Sequence, residues 1–137
     1  MEILVNYWAV LVATIAAYAV GAIWYSPILF SKTWSVELKR APGQMVSSGF
    51  TPTAAMILEF VATLVMTYVL AHFIVLVNAN TVALALQLGF WAWLGFIAMY
   101  SLSGVWFEGR SWKLFVINVG HRLIAILVAC AILGAWH

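Results

Sequence analysis

Four long apolar stretches occupy nearly the whole chain, at approximately residues 3–30, 52–77, 81–107 and 112–136. Each reaches or exceeds the ~20 residues that a helix needs to cross a hydrocarbon core. Apolar residues follow one another without a two-residue alternation, which selects helices over the strands of a membrane barrel. A helix also satisfies its own backbone hydrogen bonds within one segment, as a span in lipid must. The pattern predicts an all-α integral membrane four-helix bundle, one transmembrane domain over residues 1–137, with a longer connection at 31–51.

Charge placement gives the bundle a direction. Lys32, Lys39 and Arg40 fall between the first two spans, Arg110 and Lys113 fall between the last two, and the other connection, "VNANT", carries no charge. Lys and Arg are retained in the cytoplasm. Both charged connections are therefore expected inside, with both termini, Asn78 and Asn80 on the extracytoplasmic side of the cell's inner membrane. Glu2 precedes an apolar run about twice as long as a signal peptide's, so the first span is expected to be kept. In the 31–51 connection, Trp34 and Leu38 stand four apart beside Lys32, Lys39 and Arg40, a pattern that suits either an interfacial helix or a solvated loop. Pro42 and Gly43 end that segment, and Thr51 with Pro52 forms a helix start. Tyr7, Trp8, Trp24, Tyr25, Trp106, Trp112 and Trp136 lie near span ends, as interfacial aromatic belts do.

Composition narrows the function classes. Only 7% of residues are charged and the net charge is +2, too little for a nucleic-acid surface. One cysteine, Cys130, excludes an intrachain disulfide and a multi-cysteine metal site, and its expected role is packing. No HExxH pattern, phosphate-binding glycine loop or nucleophile with an evident base is present, so neither enzyme chemistry, metal nor cofactor is expected. Ala9, Ala13, Ala17 and Gly21 recur every four residues, as do Ala125 and Ala129, and such stripes let helix backbones approach closely within or between chains. "YWAVL" and "GAIWY" in the first span resemble "FWAWL" and "SGVWF" in the third, which suggests either a parallel repeat or chance likeness between tryptophan-rich helices.

Ionised residues inside spans cost ~3 kcal/mol each at mid-membrane, so Glu59 and Arg122 need a reason. Counted from the charged ends of their spans, Glu59 and Asn118 lie about 10 Å in and Arg122 about 6 Å deeper. The arginine side chain leans back toward its helix N-terminus, toward the Glu59 level. Asn118, His121 and Arg122 are spaced to share one face, expected to turn toward Glu59. These four are the candidate substrate or ion pathway. The competing reading is an acid–base pair that only fixes helix register. His72 lies more than ~10 Å from the level of His121, too far for a shared metal, and is expected to meet Gln87. Glu108, Arg110, Trp112 and Lys113 form a rim suited to anchoring or to lipid headgroups.

The motifs "WYSPILF" (24–30), "FWAWLGF" (90–96) and "FEGRSWKLFVINVG" (107–120) resemble those of the domain of unknown function 1761 family, small bacterial membrane proteins. The resemblance spans most of the chain and implies four membrane helices with no assigned activity. It places Trp24, Pro27, Glu108, Gly109, Arg110, Trp112, Lys113 and Asn118 at signature positions, whereas His121 and Arg122 fall outside the pattern. The functional expectation is a small channel or transporter subunit for an unidentified solute or ion. A non-transporting scaffold or lipid-binding accessory protein is the alternative. Membrane lipid and further copies of the chain are the expected partners.

Overall fold

In the computed structural model the described residues are 3–26 and 51–137, and they form four helical rods. These are α1 (Tyr7–Trp24), α2 (Pro52–Leu76), α3 (Val82–Phe107) and α4 (Trp112–Ala135), each long and apolar enough to cross a membrane. The expected interfacial segment, with Lys32, Trp34, Leu38, Lys39, Arg40, Pro42 and Gly43, lies outside the described residues, as does Pro27.

Each helix starts where a side chain can satisfy its free N–H groups. The Oδ1 atom of Asn6 accepts from Trp8 and Ala9, so α1 begins at Tyr7 rather than at Ile3. Its helical run ends at Trp24, and the expected span end at residue 30 lies outside the described residues. Thr51 caps α2, with Pro52 in the first turn; Thr81 caps α3 and Ser111 caps α4. The α2 end closes through Asn78, whose φ of 56° lets its N–H reach Val75 O and the next N–H reach Ile74 O. Gly109, with φ of 68°, turns the chain after α3 and sends the Arg110 N–H back to Gly104 O.

Close packing gathers on α4, which touches all three other helices and meets α1 and α3 most extensively. Ala9, Ala13 and Ala17 of α1 are buried in one core with Ala125, Ala129 and Cys130 of α4. The small-residue stripe is therefore a contact within the chain, and its last member, Gly21, leaves the space that His121 fills. On the other side Gly89 lies against the Cys130 sulfur, and Gly134 lies against Ala85. Cys130 is fully buried there, in a packing position. Lipid gives helices no hydrophobic reason to associate, so small-residue contacts and interhelical hydrogen bonds must hold them. One such bond joins the buried Thr14 and Thr67 hydroxyls across α1 and α2.

α3 is not uniformly α-helical. A π-helical stretch, Trp93–Ala98, separates Val82–Ala92 from Met99–Phe107. In an α-helix a strict four-residue stripe drifts about 40° round the axis per step. The wider π turn advances less per residue and offsets that drift. Ala85, Gly89, Trp93, Ile97, Ser101 and Val105 are spaced by four, and all six meet α4 or the cavity beside it.

Glycines inside and outside the tight α3–α4 seam should respond differently to an added side chain. Gly89→Leu should drive a side chain into Cys130 and Ile126 and lower stability by about 1–3 kcal/mol. Gly95→Ala faces open space and should leave stability unchanged or raise it by up to about 1 kcal/mol. Thermal unfolding of both variants in one detergent checks the contrast.

Candidate functional site

The site is built where the α3–α4 seam stops being tight. Two indoles fix this part of α4: Trp24 of α1 donates to Ile117 O at 2.9 Å, and Trp93 of α3 donates to Val119 O at 2.8 Å. The two carbonyls flank Asn118. A Cβ at Gly120 would press on the Trp24 ring at 3.2 Å, so the glycine admits that indole. Tyr25, just past α1, donates its hydroxyl hydrogen to Asn118 Oδ1 at 2.7 Å. The Asn118 amide plane is thereby set, and its two N–H groups remain for another acceptor.

Beyond the indoles the helices part around a cavity of about 310 Å³. Its polar lining comes from Tyr25, Ser101, Arg110, Asn118 and Arg122, and its apolar lining from Ile97, Val105, Leu114, Phe115 and Val119. The volume is near the lower end of the ~300–1,000 Å³ range of ligand clefts. A second, smaller space of about 30 Å³ lies at the opposite end, bordered by Asn6, Ala9, Leu133 and Trp136 among others.

Glu59 of α2 does meet Arg122 of α4, with Oε1 3.1 Å from Nη2. The pair is not enclosed by the chain, since 45% of the Glu59 and 37% of the Arg122 side-chain surface is exposed. Arg122 both lines the cavity and holds Glu59, which is not among the described lining residues. At the rim, Glu108 Oε2 holds Arg110 Nε at 2.8 Å, and Gly104 leaves room for the arginine stem to fold over the end of α3. A cation there suits the helix C-terminus. Each guanidinium has five N–H donors, and each ion pair uses one contact. Among the described residues, the cavity surface thus offers cations and neutral donors, while both carboxylates stand outside it.

The polar cluster therefore divides differently from the expected single face. Asn118 and Arg122 reach the cavity, joined there by Arg110 from the rim. His121 instead turns toward α1: it is buried, packs edge-on against the Tyr25 ring with centroids 5.1 Å apart, and faces Gly21. Trp112 and Lys113 are exposed at the start of α4 and are not among the lining residues. His72 bonds its own helix at Tyr68 O, while Gln87 is exposed, so the expected contact between them is not made. Trp24 and Tyr25, read from sequence as belt aromatics, are tied inward to α4. Sequence reasoning missed Tyr25, Trp93 and Ser101 as parts of the site, and the four-residue spacing through Trp93, Ile97 and Ser101 was the available signal.

Four helices able to cross a membrane, closely packed at one end and opening on a polar cavity at the other, have the make-up of a multi-pass membrane protein. More narrowly, the chain belongs to the family described as "Protein of unknown function (DUF1761)", whose sequence pattern matches residues 8–134. No curated protein and no solved structure matches it.

The exposed part of the Glu59–Arg122 pair should reach water at the end of the bundle, in which case a double-mutant cycle of Glu59→Gln and Arg122→Leu gives a coupling of about 1 kcal/mol or less. Chemical unfolding of the four proteins in detergent reads it. A coupling above about 3 kcal/mol would mean that the exposed face of the pair meets lipid rather than water.

Proposed function

We propose that this protein is a multi-pass protein of the inner membrane that binds an anionic group at its cytoplasmic end, as one subunit of a small homo-oligomeric transporter. The observation that carries this reading is the convergence of Arg110, Asn118 and Arg122 on one cavity, with their carboxylate partners outside it. Planar guanidiniums hold carboxylate and phosphate oxygens by paired, charge-assisted hydrogen bonds, and an amide N–H adds a third direction. Sidedness follows from the cation bias: Arg110 and Lys113 inside, Asn78, Asn80 and both termini outside. The oligomer is inferred from the core. Ala9, Ala13, Ala129 and Cys130 have no exposed surface, which leaves no path along the centre of one protomer. A route for a solute then runs along the protein surface or between copies.

A non-transporting scaffold is the second reading, favoured by the fact that both arginines already hold a carboxylate. Binding separates the two. In phosphatidylcholine nanodiscs, carboxylates or phosphate monoesters of some chain length should raise the Tm, whereas uncharged and cationic analogues should not. Arg122→Gln combined with Arg110→Gln should remove the shift. If no anion of either kind shifts the Tm, the scaffold reading replaces this one. Cysteine accessibility at Asn80 and Lys113 checks the sidedness, with labelling at Asn80 expected from outside only.

A further inference from the structure

We infer that the anionic group belongs to an amphiphile, a carboxylate or phosphate head carrying an acyl chain, and that this molecule enters from the side between α3 and α4. The inference rests on the anion-binding reading above and adds the class of ligand. Three observations carry it. First, the cavity wall is divided by chemistry: Arg110, Asn118 and Arg122 supply donors, while Val105, Leu114 and Phe115 supply apolar surface. A fully hydrated anion would gain nothing from the second part, whereas an acyl chain would.

Second, one wall is a loosely held helix segment. Met99–Phe107, which follows the π stretch, contains no buried residue, in contrast to the tight Ala85 and Gly89 contacts earlier in the same rod. Tyr100 and Phe107 on this segment are among the most exposed large apolar side chains in the chain. The seam between this segment and α4 is therefore packed less tightly than the seam at Ala85 and Gly89. Third, the size is right for a head and the first part of a chain only. A cavity of about 310 Å³ cannot enclose a long acyl chain, so the remainder must leave through that seam and run along the apolar helix faces.

The arrangement also assigns a role to the parted ends of α3 and α4. Glu59 holds Arg122 through Nη2 alone, which leaves the remaining N–H groups of the guanidinium for the head. Ser101, on the loosely held segment, adds a hydroxyl next to the head position.

The test uses the full chain in phosphatidylcholine nanodiscs and four probes: palmitate, lysophosphatidate, acetate and inorganic phosphate. Palmitate or lysophosphatidate should bind at one molecule per chain, and acetate and phosphate should not compete at millimolar concentration. Arg122→Gln should weaken the amphiphile about tenfold or more, the scale of one lost charge-assisted contact. Val105→Trp, which fills the apolar part and leaves the donors in place, should abolish amphiphile binding; unchanged helical circular dichroism and elution volume show that it still folds. Binding of acetate or phosphate as tightly as the amphiphiles would overturn the inference while leaving the anion reading intact. Failure of all four probes would sink both. Amphiphile binding that Val105→Trp and Arg122→Gln leave unchanged would place the molecule on the outer helix faces and likewise overturn the inference.

Discussion

The structure depends on how closely two helices can approach α4 from opposite sides. α1 offers Ala9, Ala13, Ala17 and Gly21; α3 offers Ala85 and Gly89; and α4 answers with Ala125, Ala129, Cys130 and Gly134. Between apolar rods in an apolar solvent, such contacts supply dispersion at short range, where larger side chains would hold the backbones apart. The seams also fix the rotation of α4 about its axis. Once Ala125 and Cys130 are committed to the core, the positions of Asn118, His121 and Arg122 follow from the helix repeat. His121 falls on the α1 seam, and a glycine opposite makes room for it.

Where the small-residue seams end, hydrogen bonds take over. Two indole N–H groups arrive from different helices at the Ile117 and Val119 carbonyls, which also serve the helix's own ladder. A carbonyl has two lone pairs, so the second bond is made without breaking the first. The segment carrying Asn118 is thus held from both sides, and the Tyr25 hydroxyl then sets the amide itself. Just past this point α3 passes through its π turn and parts from α4. Irregular turns inside long helices recur at functional sites, and here the physical effect is specific. The turn keeps Ile97, Ser101 and Val105 on the side of α4 while the helix beyond it buries nothing fully.

The four rods were legible because length and apolarity decide them, and the helix start at Thr51 and Pro52 was legible because capping is local chemistry. The Glu59–Arg122 contact also followed from depth, since two ionised groups at neighbouring levels of an apolar bundle have few other partners. What depth does not contain is rotation. Asn118, His121 and Arg122 share a broad face by spacing alone, yet that face is divided: Asn118 and His121 meet Tyr25 at the end of α1, whereas Arg122 meets Glu59 of α2. Trp24 and Tyr25 escaped notice for a related reason. An aromatic near a span end satisfies the belt pattern whether it points to lipid or inward, and only the glycine at 120 marks the inward choice. The cavity was illegible because the π turn keeps Ile97, Ser101 and Val105 in line with Trp93, a register that periodicity read at 3.6 residues per turn does not show.

The placement of the two glutamates bears on what an arginine can do at this depth. A lone guanidinium in an apolar surround is costly, and a carboxylate inside the cavity would compensate it while repelling any anion that arrived. Here the compensation comes from Glu59 and Glu108, neither of which is among the described residues that line the cavity. Two arginines and two glutamates balance in charge, yet the residues that line the cavity are the N–H donors Arg110, Asn118 and Arg122. Since attraction falls with distance and a donor in contact acts at about 3 Å, an acceptor in the cavity would interact with the guanidinium face more strongly than with the carboxylate beyond it. Arg122 is the group shared by both environments. Removing it would unpair Glu59 and strip the cavity of its deepest cation together, whereas removing Glu59 would leave the donors in place and raise the cost of keeping their charge.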